Sequence, residues 1–147
     1  MRILLIVCLV VCAAACSGNS TSPTPVSSGT GAMSIAGTWD GTIVSSNNET
    51  AQVKMVLTQS GADVSGTWAS SSVSWAGEIS GRVTGKTFDG QFKFSGTAAN
   101  GTVCTGAATV TGPATDSTLS WSSANGVVGG ACPAPLPVGL KIDVQRL

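Results

Sequence analysis

The residues able to do chemistry are few, and their types limit what the chain can catalyse. The 147-residue sequence contains no histidine and no tyrosine, so the usual general base for a serine or cysteine nucleophile is missing. The carboxylates Asp40, Asp63, Glu78, Asp89, Asp116 and Asp143 are scattered along the chain. Two of them converging across a cleft would suit glycoside hydrolysis. Solvated strand faces are the commoner use of such side chains. Glu78 and Arg82 lie four residues apart, too far along an extended strand for a direct bridge without neighbours. No Gly-rich loop opens a helix to hold phosphate. Seven basic residues against seven acidic ones leave no positive footprint for nucleic acid. The expectation is a non-enzyme with no catalytic residues, metal or cofactor.

The aromatic residues are the other candidates for function. Four tryptophans and three phenylalanines could fill a small core or line a cavity for an apolar ligand. Trp68, Trp75 and Trp121 are the candidates for lining. Trp75 and Trp121 each sit among small residues that leave space beside a large ring.

Short strands must position these rings. Ser, Thr, Gly, Ala and Val dominate the composition, which favours strands and tight turns over helices. Alternation of apolar and polar residues marks eight strands. The first, near residues 37–45, places Trp39, Gly41 and Ile43 on one face. The second sets Val53, Met55 and Leu57 inward, and the third Val64, Gly66 and Trp68. The fourth carries Trp75, Ile79 and Val83, and the fifth Phe88, Phe92 and Phe94. The sixth carries Cys104 and is expected to break at Gly112-Pro113. Leu119 and Trp121 mark the seventh, and residues 124–137, with their glycines and prolines, read as irregular. The eighth turns Val138, Leu140, Ile142 and Val144 inward. Ser60-Gly61-Ala62-Asp63, Thr84-Gly85-Lys86 and Asn100-Gly101 are turn signals. Asn48-Glu49-Thr50 and Asn100-Gly101-Thr102 match the glycosylation triplet and read as plain turn chemistry.

Eight antiparallel strands joined mostly by hairpin-length connections predict an all-β fold, an up-and-down barrel, with a two-sheet sandwich as the alternative. Glycines within strands (Gly41, Gly66, Gly81, Gly90) would let a small barrel bend.

The N-terminus reads as an address. Arg2 precedes an apolar run, residues 3–11, too short to span a bilayer. Ala13-Ala14-Ala15-Cys16 resembles the lipobox of bacterial lipoproteins, although Ala13 stands where leucine is usual. Ordinary secretory cleavage beside Ala15 satisfies the same small-residue rule. The resemblance implies removal of residues 1–15 and lipidation of Cys16. Ser17 resembles the signal that releases such proteins to the outer membrane, facing the periplasm or the cell surface. Residues 16–33 would be a lipidated flexible tether, and 34–147 a single domain. Cys8 and Cys12 leave with the leader, so Cys104 and Cys132 remain to pair in an oxidising compartment. Closing a loop of about 28 residues would contribute ~3.5 kcal/mol. Two cysteines without histidine make a poor zinc site.

Gly37-Thr38-Trp39 on the first strand and Arg146 at the end of the last resemble the calycins, the lipocalins, fatty-acid-binding proteins and avidins. In those barrels a Gly-x-Trp packs beneath a basic residue of the final strand. The resemblance implies that Gly37, Trp39 and Arg146 close the barrel floor. Gln59-Ser60-Gly61-Ala62-Asp63 and Ser65-Gly66-Thr67-Trp68 follow the rhythm of avidin strands. Gly41 and Trp68 depart from the avidin ligand set, so biotin is not expected. The functional expectation is a lipid-anchored module binding a small apolar or amphipathic ligand. The alternative is a protein-interaction module, an inhibitor or envelope assembly factor, with a filled barrel.

Overall fold

The computed structural model describes residues 33–45, 48–97, 101–130 and 139–147. The leader, Cys16, the tether up to residue 32, Cys132, the proline run at 133–137 and Val138 lie outside the described residues.

Sequence alternation becomes alternation of burial. On β1 (Gly37–Val44) Trp39 and Ile43 are buried. On β2 (Thr50–Ser60) Val53, Met55 and Leu57 are buried, while Lys54, Val56 and Thr58 face out. β3 (Asp63–Ser70) buries Val64 and Trp68, and β4 (Trp75–Thr84) buries Ile79 and Val83. β5 (Thr87–Thr97) turns Phe88, Phe92 and Phe94 in and Asp89, Gln91 and Lys93 out. β6 (Val103–Pro113), β7 (Thr118–Gly130) and β8 (Lys141–Arg146) complete the chain. Each strand pairs antiparallel with the next, and β8 returns to β1, with Ile43 opposite Ile142. The fold is a closed eight-stranded barrel, so no strand is left as an open sheet edge. No helix occurs among the described residues.

Two boundaries differ from the sequence reading. β6 continues through Gly112-Pro113, opposite Phe88 and Thr87. Pro113 is the last residue of the strand, where its missing N–H interrupts little of the ladder. β7 extends through part of the stretch expected to be irregular, pairing Gly126–Gly130 with Cys104–Ala108. Pairing with β6 overrides the weak strand preference of this Gly-rich sequence. Between Thr109↔Asn125 and Thr111↔Ser122 the register shifts, so β7 carries an extra residue, a bulge.

The in-strand glycines mark close approach. A Cβ on Gly41, Gly66, Gly81 or Gly90 would run into the backbone of the adjacent strand. The ring of Phe88 lies over the facing pair Gly81 and Gly90.

One end of the barrel is plugged and tied. Ile35, Trp39, Phe88, Ala114, Leu119 and Trp121 are almost wholly buried there. The Arg146 guanidinium lies 4.5 Å from the centroid of the Trp39 ring, a cation–π contact. It also donates to the carbonyls of Ser34, Ala36 and Asp116. Trp39 Nε1 donates to the Ile35 carbonyl at 3.0 Å. Gln59 accepts from the Ile35 N–H at 2.8 Å and donates to the Met33 carbonyl at 3.1 Å. Residues 33–36 are thereby fixed to the plugged end. Gly37 has φ 140°, and a Cβ there would sit 2.6 Å from Arg146 Nη1, so glycine serves both the backbone and the guanidinium.

The β7–β8 seam carries a charged contact. Ser120 Oγ donates to Asp143 Oδ1, and Lys141 Nζ lies 2.9 Å from Asp143 Oδ2. The Ser120 hydrogen bond, with help from Lys141 and against partial burial, holds the Asp143 carboxyl below its ordinary value.

Two expectations follow from these ties. Arg146→Ala should lower unfolding free energy in urea by roughly 2–3 kcal/mol, the scale of charge-assisted hydrogen bonds lost together. Arg146→Lys should recover only part, because an ammonium cannot reach three divergent carbonyls with one planar fork. For Asp143 the depressed folded value means stability that is present above the unfolded carboxylate value of about 3.9. That stability is lost as pH falls through the folded value. The gap in urea midpoint between wild type and Asp143→Asn should therefore narrow as pH drops from about 5 to about 2.

Candidate ligand-binding cavity

The opposite end of the barrel is not filled. A cavity of about 350 Å³ opens there, within the size range of small-molecule sites. The strand ends explain it. Where the plugged end packs Trp39, Phe88 and Trp121, the open end has Ala51, Ala108 and Gly126 on β2, β6 and β7. These small residues leave volume between large neighbours that a close-packed core would fill.

Aromatic rings form one wall in two tiers. The deeper tier is Trp68 on β3 stacked on Phe92 of β5, with centroids 4.5 Å apart and planes 24° apart. Trp68 Nε1 donates to the Lys93 carbonyl at 2.8 Å, which fixes the ring. Nearer the mouth, half-buried Trp75 meets Phe94 at 5.7 Å and 36°. Trp75 lies flat over Gly96 on β5, whose absent Cβ would otherwise sit 2.5 Å from the indole. Ile43 and Leu140 close the far side.

Polar groups are sparse. Ser123, beside the β7 bulge, is buried and in the lining, and its N–H donates to the Leu140 carbonyl at 2.9 Å. Ser45, Ser70 and Glu49 stand toward the mouth. Glu49 is the one charged residue among the described lining.

Of the three tryptophans expected to line a cavity, the structure brings Trp68 and Trp75 to this one. Trp121 is a correction. It is 1% exposed and stacks on Phe88 at 4.1 Å and 20°, away from the cavity. Its small sequence neighbours are not the residues it packs against across the barrel. Trp121 Nε1 is buried with no hydrogen-bond partner among the described residues, and the ring's stack on Phe88 is apolar packing. Cys104 is buried on β6. Sequence reasoning missed Glu49, read only as part of a turn triplet, and Ser123, one serine among many.

The remaining carboxylates do not meet in the cavity. Asp63 pairs with Arg82 at 3.2 Å and Glu78 with Lys93 at 3.6 Å, each across neighbouring strands on the exposed outer face. Thr111 Oγ1 donates to Asp89 Oδ1, also outside. With Glu49 alone in the lining, the convergent carboxylate pair of a glycosidase is not assembled there. Among the described residues no three His, Cys, Asp or Glu side chains group as a metal site.

Searches against protein-family models, curated proteins and solved structures find no match to this chain.

The two ends should respond differently to truncation. Trp121→Ala should cost about 3–5 kcal/mol, the scale of a large buried ring removed from a packed core. Trp75→Ala, at a half-buried cavity wall, should cost less than half as much. Equal losses in urea denaturation would mean that the open end is packed as tightly as the plug.

Proposed function

We propose that this protein is a lipid-anchored envelope module that binds a small apolar or amphipathic ligand in the open end of its barrel. The observation that carries the reading is the cavity of about 350 Å³ walled by Trp68, Trp75, Phe92 and Phe94. Buried area of that kind is what holds such ligands, with a few polar groups setting orientation. Residue 33 enters at the tied end through Gln59, so a tether arriving there would leave the mouth unobstructed. The Gly37, Trp39 and Arg146 arrangement supports a calycin-like reading of the barrel. For the covalent features, Cys16 would carry the lipid. Cys104 would pair with Cys132, a proposal supported by the register that sets Gly130 opposite Cys104.

The test is native mass spectrometry of the mature protein purified gently from its own membranes. A reproducible small-molecule adduct, lost on denaturation and absent from a Trp68→Ala, Trp75→Ala double variant, is the expected result. Each ring removed should weaken rebinding about ten- to hundredfold, since fully burying one large apolar side chain is worth about 1.5–3 kcal/mol. A bare protein mass in repeated preparations would overturn the reading and turn the search to protein partners. The same spectra should show an acyl mass on Cys16, and a mass two hydrogens below that of the dithiol.

A further inference from the structure

We infer that the ligand carries a single positive charge: a compact amphiphile of the alkyl- or arylammonium class, its body against Trp68 and Trp75 and its cation beside Glu49. This rests on the binding reading above and adds the charge to it.

The electrostatics of the lining are one-sided. Glu49 is its sole charged residue among those described, and no lysine or arginine joins it. Its carboxylate has no ion-pair partner among the described residues. Lys141 stands at the adjoining end of β8, opposite Val44, and its ammonium is engaged by Asp143 at 2.9 Å. Lys93 and Lys54 lie on the outer face, and Lys93 is held by Glu78. Glu49 is placed at the mouth by its own turn. Its N–H donates to Ser45 Oγ at 3.1 Å and its carbonyl accepts from the Ser45 N–H at 2.9 Å.

Among the described lining residues no cation stands ready to compensate an anion. The Trp68 indole N–H already donates to Lys93 and the Ser70 hydroxyl to the Gln52 carbonyl. Aromatic faces present negative quadrupole to the cavity, which attracts cations and repels anions. A cation leaving water at this mouth would meet a carboxylate and ring faces together. Long-chain lipids are a poor match for a cavity of about 350 Å³.

The experiment compares three probes with one hydrocarbon chain: octyltrimethylammonium, octanol and octanoate, all below micelle formation. Binding to the mature protein is read by tryptophan fluorescence at pH 7 and low salt. The cation should bind roughly three- to tenfold more tightly than octanol, the sum of an exposed ion pair and a cation–π contact. Octanoate should bind most weakly. Glu49→Gln should cut the cation's advantage over octanol to the part that the ring faces supply, and a retained cooperative urea transition would show that the variant is folded. The advantage should shrink in high salt, as screening of an exposed charge requires. Octanol or octanoate binding as well as the cation, or an unchanged preference in Glu49→Gln, would overturn the charge assignment while cavity binding stands. If none of the three binds, the binding function falls and the charge assignment with it.

Discussion

Closure of β8 onto β1 is the constraint on which the rest of the molecule depends. The Arg146 guanidinium, at the last residue of β8, covers the Trp39 ring and donates to three carbonyls in two separate segments, the residues before β1 and the β6–β7 connection. A planar cation with divergent donors does this in one place. The first strand, the residues before it and the β6–β7 connection are thus held at one barrel end. With that end fixed, the eight strands form a ring without an edge, and the inward side chains of each must share one interior.

Sharing that interior produces two unlike ends. Phe88 and Trp121 stack at the tied end, with Phe88 lying over two glycines that face each other on β4 and β5. At the other end the partners of Trp68, Trp75 and Phe94 include alanine and glycine, and volume is left over. Large residues on one side of the open end and small ones on the other give a cavity with an aromatic wall. Close packing and open volume therefore fall in different tiers of the same barrel, which lets the cavity wall vary with little cost to the plug.

Much of the architecture was legible in the sequence because a strand's period of two is local. Phe88, Phe92 and Phe94 against Asp89, Gln91 and Lys93 give the inner face without any knowledge of neighbours. Gly37, Trp39 and Arg146 were grouped through the resemblance to the calycins rather than by periodicity, and the first and last strands of the closed barrel meet at Trp39 and Arg146. The extension of β7 to Gly130 was not legible, since glycines carry little strand preference and the ladder to β6 decides the matter. Trp121 was misplaced for a related reason. Its sequence neighbours are small, yet the residue that touches it is Phe88, thirty-three positions away.

The sequence by itself determined strand number, inner and outer faces, and the absence of histidine and tyrosine, because these are set by residue type and short-range periodicity. Only the tertiary structure decided which rings plug the barrel and which line a cavity. It also decided that Glu49, unremarkable within a turn, stands at the mouth as the one charge among the described lining residues. Both depend on strand tilt and register, which bring residues of different strands to the same height along the barrel axis.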